Sequence, residues 1–154
     1  MTLQYVTGDA TQPVTTGSRV IAHVCNDRGG WGKGFVVALS RRWPELEDAY
    51  RAWARRSDFC LGAVDLVRVE SETWIANMVA QHGYRSASNP VPLRYDALEK
   101  ALSTVAKRAG DLGASVHLPR IGCGLAGGTW EHIAPLIERT LTIQGIPTTV
   151  YDLP

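Results

Sequence analysis

Apolar residues run almost without interruption through Arg19–Asp27 (RVIAHVCND) and again through Thr73–Gln81 (TWIANMVAQ). Short unbroken runs of this kind predict strands buried on both faces, as in a sheet with helices on either side. Gly62–Glu70 (GAVDLVRVE) alternates apolar with polar, so it predicts a more exposed strand. Only a short polar turn separates it from Thr73, which predicts a hairpin. Leu3–Asp9 reads as a short strand ending in a glycine turn, Ser115–Gly122 as a buried strand, and Ile146–Pro154 as a closing β-rich strand.

Between these runs the apolar spacing turns helical. Phe35–Trp43 carries a helical period that stops before Pro44. Pro44–Arg56 opens with proline and acidic residues and ends with arginines, as the helix dipole favours. In Leu93–Gly113, Leu98, Leu102, Val105 and Ala109 fall near one face, with Gly113 as C-cap. Thr129–Gly145 is the last helix; Thr129 is its candidate N-cap, and Pro135 leaves a boundary or a kink open. Alternating strands and helices predict one domain over 1–154. Its architecture is a three-layer α/β/α sandwich around a mixed, mostly parallel sheet of about six strands. Ligands of such sheets bind beyond the carboxyl ends of the strands. That directs attention to Asp9, Asn26–Gly34, Gln81, Gly122–Gly128 and Tyr151.

The totals narrow the function. A chain of 154 residues with 45% hydrophobic and 20% charged residues has the balance of a globular domain. A net charge of +1 offers no electrostatic case for strong nucleic-acid binding, so an anionic ligand has to be small and locally held. No apolar run reaches the roughly 18 residues of a membrane span, and the first residues lack a secretory pattern. Cys25, Cys60 and Cys123 form no CxxC pair, which argues against a disulfide framework or a zinc knuckle and points to a reducing cytoplasm. No metal site assembles.

Two glycine-rich loops follow buried strands and open helices: NDRGGWGKG (Asn26–Gly34) and GCGLAGG (Gly122–Gly128). Glycine lets backbone approach a ligand closely, and successive amides at a helix N-terminus bind anions without a basic side chain. Two such loops suit two phosphates. Neither carries a complete nucleotide fingerprint. Asp27 and Gly34 break the Walker pattern around Lys33. Gly122, Gly124 and Gly127 match G-x-G-x-x-G, but no acidic residue follows at the required distance. Asp9 is placed to accept from a base amine, and Tyr151 and Leu153 to wall a base. His23 shares a strand face with Cys25, though a small buried cysteine is the commoner case. His82 follows a strand end and is a candidate acid or base, whereas His117 and His132 read as positions without partners.

Taken together, VTGDAT, IAHVCNDRGGWGKGFVVALSRRWP, WIANMVAQ, PRIGCGLAGGTW and TVYDL make the chain resemble the macrodomain family over almost its whole length. The PRIGCGL…W segment is similar to the branch containing the terminal ADP-ribose protein glycohydrolase. The resemblance implies an ADP-ribose ligand and mono-ADP-ribosylated proteins as partners, a monomer, and no cofactor. It also implies that Asp9 contacts the adenine amine and that Ala10 adds a backbone contact. Arg120, Ile121, Gly122, Cys123, Gly124, Leu125 and Ala126 would wrap the diphosphate. Asn26, Gly30, Trp31, Gly32, Gly34 and Phe35 would line the phosphate and distal ribose, and Tyr151 and Leu153 would flank the adenine.

The chain departs from that branch at two positions. Gln81 stands where the similar glycohydrolases end a strand with lysine, and Ala126 where they carry aspartate. A glutamine amide forms no Schiff base and an alanine moves no proton. Two readings remain. One is a hydrolase of the ester joining ADP-ribose to glutamate or aspartate, or of a related acetyl ester, with Asn26 and Gln81 holding the distal ribose and water. The other is a non-catalytic ADP-ribose reader. An ADP-ribose 1″-phosphate phosphatase fits the same pocket less well.

Overall fold

The computed structural model describes residues 3–154. Its strands are β1 (Gln4–Thr7), β2 (Arg19–Asn26), β3 (Val64–Glu70), β4 (Thr73–Gln81), β5 (Ser115–Leu118) and β6 (Thr148–Asp152). Its helices are α1 (Phe35–Arg42), α2 (Glu45–Trp53), α3 (Tyr95–Leu112) and α4 (Trp130–Thr140), followed by a short 3₁₀ turn at Thr142–Gln144. The strands form one six-stranded sheet in the order β1-β6-β5-β2-β4-β3. All neighbours are parallel except β3, which runs antiparallel to β4 at one edge. This is the mixed, mostly parallel sheet that the sequence pattern implies.

The two unbroken apolar runs lie at the centre. In β2, Val20 and Ala22 pack with α3 and α4, while Ile21 and Cys25 pack on the opposite face with α1 and α2. In β4, Ala76 and Met78 join the first cluster and Ile75 and Val79 the second. A strand between two cores has no polar face to alternate with. On α3, Leu98, Leu102, Val105 and Ala109 are fully buried. Burying a leucine of this size stabilises by roughly 1.5–3 kcal/mol. Gly113 ends α3 in the left-handed region at φ 62°, its amide returning to Ala109 and Gly110.

Two expectations need correction and one open point is resolved. The strand expected over Ser115–Gly122 ends at Leu118. Pro119 has no amide to continue the ladder, and the Ile121 amide turns back onto the Pro119 carbonyl at 2.7 Å. Pro135 neither ends nor starts α4, which runs through it. It stands on the exposed face, where water can satisfy the carbonyl it leaves unpaired, while Ile133, Leu136 and Ile137 hold the buried face. His117 and His132 do have partners. His117 is fully buried, with Nδ1 2.7 Å from the Tyr151 hydroxyl and Nε2 2.8 Å from that of Ser115. β5 lies beside β6, which brings Tyr151 to His117. His132 pairs with the Thr129 hydroxyl, and its ring packs on Tyr95. Among the described residues no helix is long and apolar enough to cross a membrane.

Burial drives both His23 and His117 down to about 4. Each therefore folds neutral, and the unfolded chain binds more protons between that value and the ordinary 6.5. Stability should be complete above pH 6.5 and should fall as the pH drops toward 4, by up to about 1.4 kcal/mol per pH unit for each histidine. Urea midpoints measured from pH 8 to about 4 check this, and His117→Gln should flatten the slope.

Candidate functional site

Because β1, β6, β5, β2 and β4 run in one direction, their carboxyl ends share one edge of the sheet. Three adjoining cavities of about 700, 220 and 470 Å³ follow that edge. The first and second share Gly34, Phe35, Pro119, Arg120 and Gly124; the second and third share Val24, Lys33, Val36, Gln81 and Leu125. They form one continuous groove. Every residue that the resemblance assigns to ADP-ribose lines it, and so does Gln81; His82 does not. Asp9, Ala10, Cys123, Tyr151 and Leu153 lie at one end, Ile121, Gly122 and Ala126 in the middle, and Asn26, Gly30, Trp31 and Gly32 at the other end.

At the first end, Asp9 Oδ1 accepts from both the amide and the hydroxyl of Thr11 at 2.8 Å. These bonds fix the carboxylate and leave Oδ2 without a partner among the described residues. The amide of the buried Ala10 also has no acceptor there. A free acceptor beside a free donor is the complement of one edge of an adenine ring. Tyr151 forms a buried wall, its hydroxyl accepting from the Val14 amide at 3.1 Å, while Leu153 stands exposed at the mouth. Arg120 turns its guanidinium onto Asp152 with two bonds, of 2.7 and 2.8 Å, between the rings of Tyr5 and Trp130.

In the middle, Gly122, Gly124, Leu125 and Ala126 direct amides that reach no acceptor among the described residues. The facing loop enters α1 through Gly34 at φ +83°, a conformation that side chains rarely adopt. The amides of Phe35 and Val36, the first two of α1, likewise reach no acceptor among the described residues, while that of Val37 donates to the Gly34 carbonyl at 3.1 Å. The two glycine loops thus present unpaired N–H groups to the same stretch of groove, which suits an anion.

At the far end, Asn26 is largely committed to its own loop. Its Oδ1 accepts from the amides of Arg28 at 2.8 Å and Gly30 at 3.1 Å, and its Nδ2 donates to the Gly30 carbonyl at 3.0 Å. One amide hydrogen remains. Gln81 donates once, to the Gly83 carbonyl at 3.0 Å, so its oxygen and second hydrogen have no partner among the described residues. Trp31 is buried: its indole donates to Ser40 at 2.7 Å and its ring packs on Tyr50 and His23. It walls the groove and is anchored too firmly to serve as a lid.

Burial pushes the Cys25 thiol well above its ordinary range and His23 down to about 4, so this pair yields no thiolate near neutral pH. His82 Nδ1 lies 2.6 Å from Asp27 Oδ2, but neither residue lines the groove. Partial burial opposes ionisation of Asp27; the Gly83 amide and His82 outweigh it and hold the carboxyl below its ordinary value. The pair ties the loop after β2 to the loop after β4. Among the described residues no three His, Cys, Asp or Glu side chains gather as metal ligands.

Sequence reasoning missed Arg41 at the first end and Tyr84 and Arg85 at the far end. The loop HGYRSASNP carried a usable signal, since it leaves a buried strand on the same edge as the glycine loops.

A Cβ on Gly124 would meet nothing within 4 Å, whereas one on Gly122, at φ +74°, would press on Leu93 at 2.9 Å. Gly124→Val should therefore keep its stability within about 0.5 kcal/mol of wild type. Gly122→Val should lose about 1–3 kcal/mol or more from strain and overpacking. Thermal melts of the two variants distinguish these outcomes.

No family model matches the chain. A macrodomain protein from Streptomyces coelicolor is 59% identical and superimposes with a TM-score of 0.87, over 97% of this chain and 98% of that one. The Mus musculus chromodomain-helicase-DNA-binding protein 1-like is 35% identical over 99% of this chain, which spans 18% of that protein's length. The human ADP-ribose glycohydrolase OARD1 is 24% identical, over 98% of this chain and 91% of that protein. High identity to a macrodomain over nearly the full length of both chains, on the sheet and groove described above, places this chain in the macrodomain family.

Proposed function

We propose that the groove binds ADP-ribose and that the protein hydrolyses the ester between ADP-ribose and a glutamate or aspartate side chain, without a lysine nucleophile. The observation that carries the binding is the row of unpaired amides at Gly122, Gly124, Leu125 and Ala126, facing the N-terminus of α1 midway along the groove. A diphosphate there sets the rest of the ligand. Adenine reaches the Asp9 carboxylate and the Ala10 amide, and the distal ribose reaches Gln81 and Asn26.

A carboxylate leaves without prior protonation, so orientation of water and electrostatic stabilisation can supply much of the acceleration. Gln81 is suited to hold water or the distal ribose through its free amide groups, and Asn26 through its one remaining hydrogen. A ligand phosphate can take up the proton. The similarity to the human glycohydrolase supports the hydrolytic reading. The second reading, a module that binds ADP-ribose without turnover, draws on Gln81 and the buried Ala126, neither of which can form a Schiff base or move a proton.

Asp9→Ala should weaken ADP-ribose binding by roughly 1–3 kcal/mol by leaving a base amine unpaired, and Gly124→Val should abolish binding in a folded protein. Isothermal calorimetry checks both. Gln81→Ala should lower turnover of glutamate-linked ADP-ribose while affinity for free ADP-ribose holds. Wild-type protein that binds ADP-ribose but releases none from modified protein would make the chain a reader.

A further inference from the structure

The first glycine loop divides its backbone groups into two sets. Three of its carbonyls are taken. That of Asn26 accepts from the Tyr50 hydroxyl at 2.6 Å, that of Gly29 from the Arg51 guanidinium at 2.9 Å, and that of Gly30 from Asn26 Nδ2 at 3.0 Å. The amides of Trp31, Gly32, Lys33 and Gly34 reach no acceptor among the described residues. Trp31, Gly32 and Lys33 line the far cavity, and Gly34 the middle one.

A peptide unit is planar, so fixing its carbonyl also aims the amide on its other side. Two units of this loop are held on both sides. In Asn26–Asp27, Tyr50 holds the carbonyl and the amide donates to the Gln81 carbonyl at 2.9 Å. In Gly29–Gly30, Arg51 holds the carbonyl and the amide donates to Asn26 Oδ1 at 3.1 Å. The next unit, Gly30–Trp31, is held by its carbonyl alone, and with it begins the run of unpaired amides.

The two outside donors are neighbours on α2, and neither side chain lines the groove. Tyr50 is fully buried, with its ring 5.2 Å from that of Trp31 and 5.8 Å from that of Phe59. Burial keeps its hydroxyl protonated far above the ordinary range, so it remains a donor. Arg51 is steadied by Glu47, one turn earlier, at 2.9 Å. Gly29, at φ +80°, packs against Ala54 just past the end of α2. A glycine-rich loop without such ties would have to be ordered by its ligand, at a cost in affinity.

We infer that Tyr50 and Arg51 are positioning residues: from outside the groove, they hold the first glycine loop in the form that binds the distal half of ADP-ribose. The inference rests on ADP-ribose occupying the groove as proposed above. It predicts that loosening either tie weakens the grip on that half alone, because the Asp9 end is built from other elements.

The experiment is calorimetry of ADP-ribose and of AMP, which lacks the distal half, on wild type, Tyr50→Phe and Arg51→Met. Tyr50→Phe keeps the ring and removes only the hydroxyl. Arg51 is exposed, so Arg51→Met keeps the fold even if the buried variant does not. Affinity for ADP-ribose should fall about threefold to tenfold in each variant, while affinity for AMP stays within about twofold of wild type. A general loss of structure would weaken both ligands alike. In amide NMR spectra without ligand, the resonances of Gly29–Gly34 should move in both variants and those of Gly122–Ala126 should hold.

Unchanged ADP-ribose affinity in the variants, an equal loss for AMP, or unmoved loop resonances overturns the inference. In each of those cases wild type still binds ADP-ribose and the proposed function survives. Wild type that binds neither ligand overturns the proposed function and the inference with it.

Discussion

The parallel pairing of β2 with β4 on one side and β5 on the other governs the site. Val20 stands opposite Trp74 and Val116, and Ile21 opposite Ile75 and His117. With that register in place, Asn26 and Gln81 end adjacent strands and stand opposite each other across the last pair. A parallel sheet needs crossover helices; α3 between β4 and β5 and α4 between β5 and β6 supply them on one face, while α1 and α2 lead to the antiparallel β3 and cement the other core. Slipping β2 by one residue would exchange its two buried faces and move every residue at its end out of the groove.

The loops beyond those ends are positioned by contacts that cost the ligand surface little. Arg120 begins the loop of unpaired amides after β5 yet turns its side chain away to Asp152, Tyr5 and Trp130. Exposed ion pairs contribute little to stability. The consequence here is geometric: the pair joins the loop after β5 to the end of β6, so one two-bonded contact orients both the middle and the Asp9 end of the groove. The Asp27–His82 pair does the same for the loops after β2 and β4. Asn26 shapes the first glycine loop by accepting from two of its amides, which makes this residue more a scaffold than a free reagent.

The electrostatics divide the groove into three. A carboxylate oxygen and an amide stand at the Asp9 end, bare amides in the middle, and unpaired cations with a tyrosine hydroxyl at the Gln81 end. The strongly perturbed buried groups, His23, Cys25, Tyr50 and His117, are all held neutral by desolvation. They belong to the folding of the protein, and chemistry in the groove falls to oriented dipoles and exposed charges.

Much of this was legible in the chain itself. Unbroken apolar runs at Arg19–Asp27 and Thr73–Gln81 identify central strands because a strand buried on both faces excludes polar residues, and glycine-rich stretches after strands identify loops where backbone must come close to something. Asp9, Gly124 and Gln81 follow from strand ends alone. Only the tertiary structure decided what each side chain does there. Trp31 became an anchored wall, Asn26 a loop scaffold, and His117 the partner of Tyr151, because each depends on a neighbour distant in sequence or on the turn its loop adopts. Arg85 and Tyr84 carry no motif of their own, and only the place of their loop after a buried strand pointed toward them. Their place beside Lys33 arises from the β2–β4 pairing, which brings together loops some fifty residues apart. Periodicity records which face of an element is buried, and it carries no record of which loops will meet across the sheet.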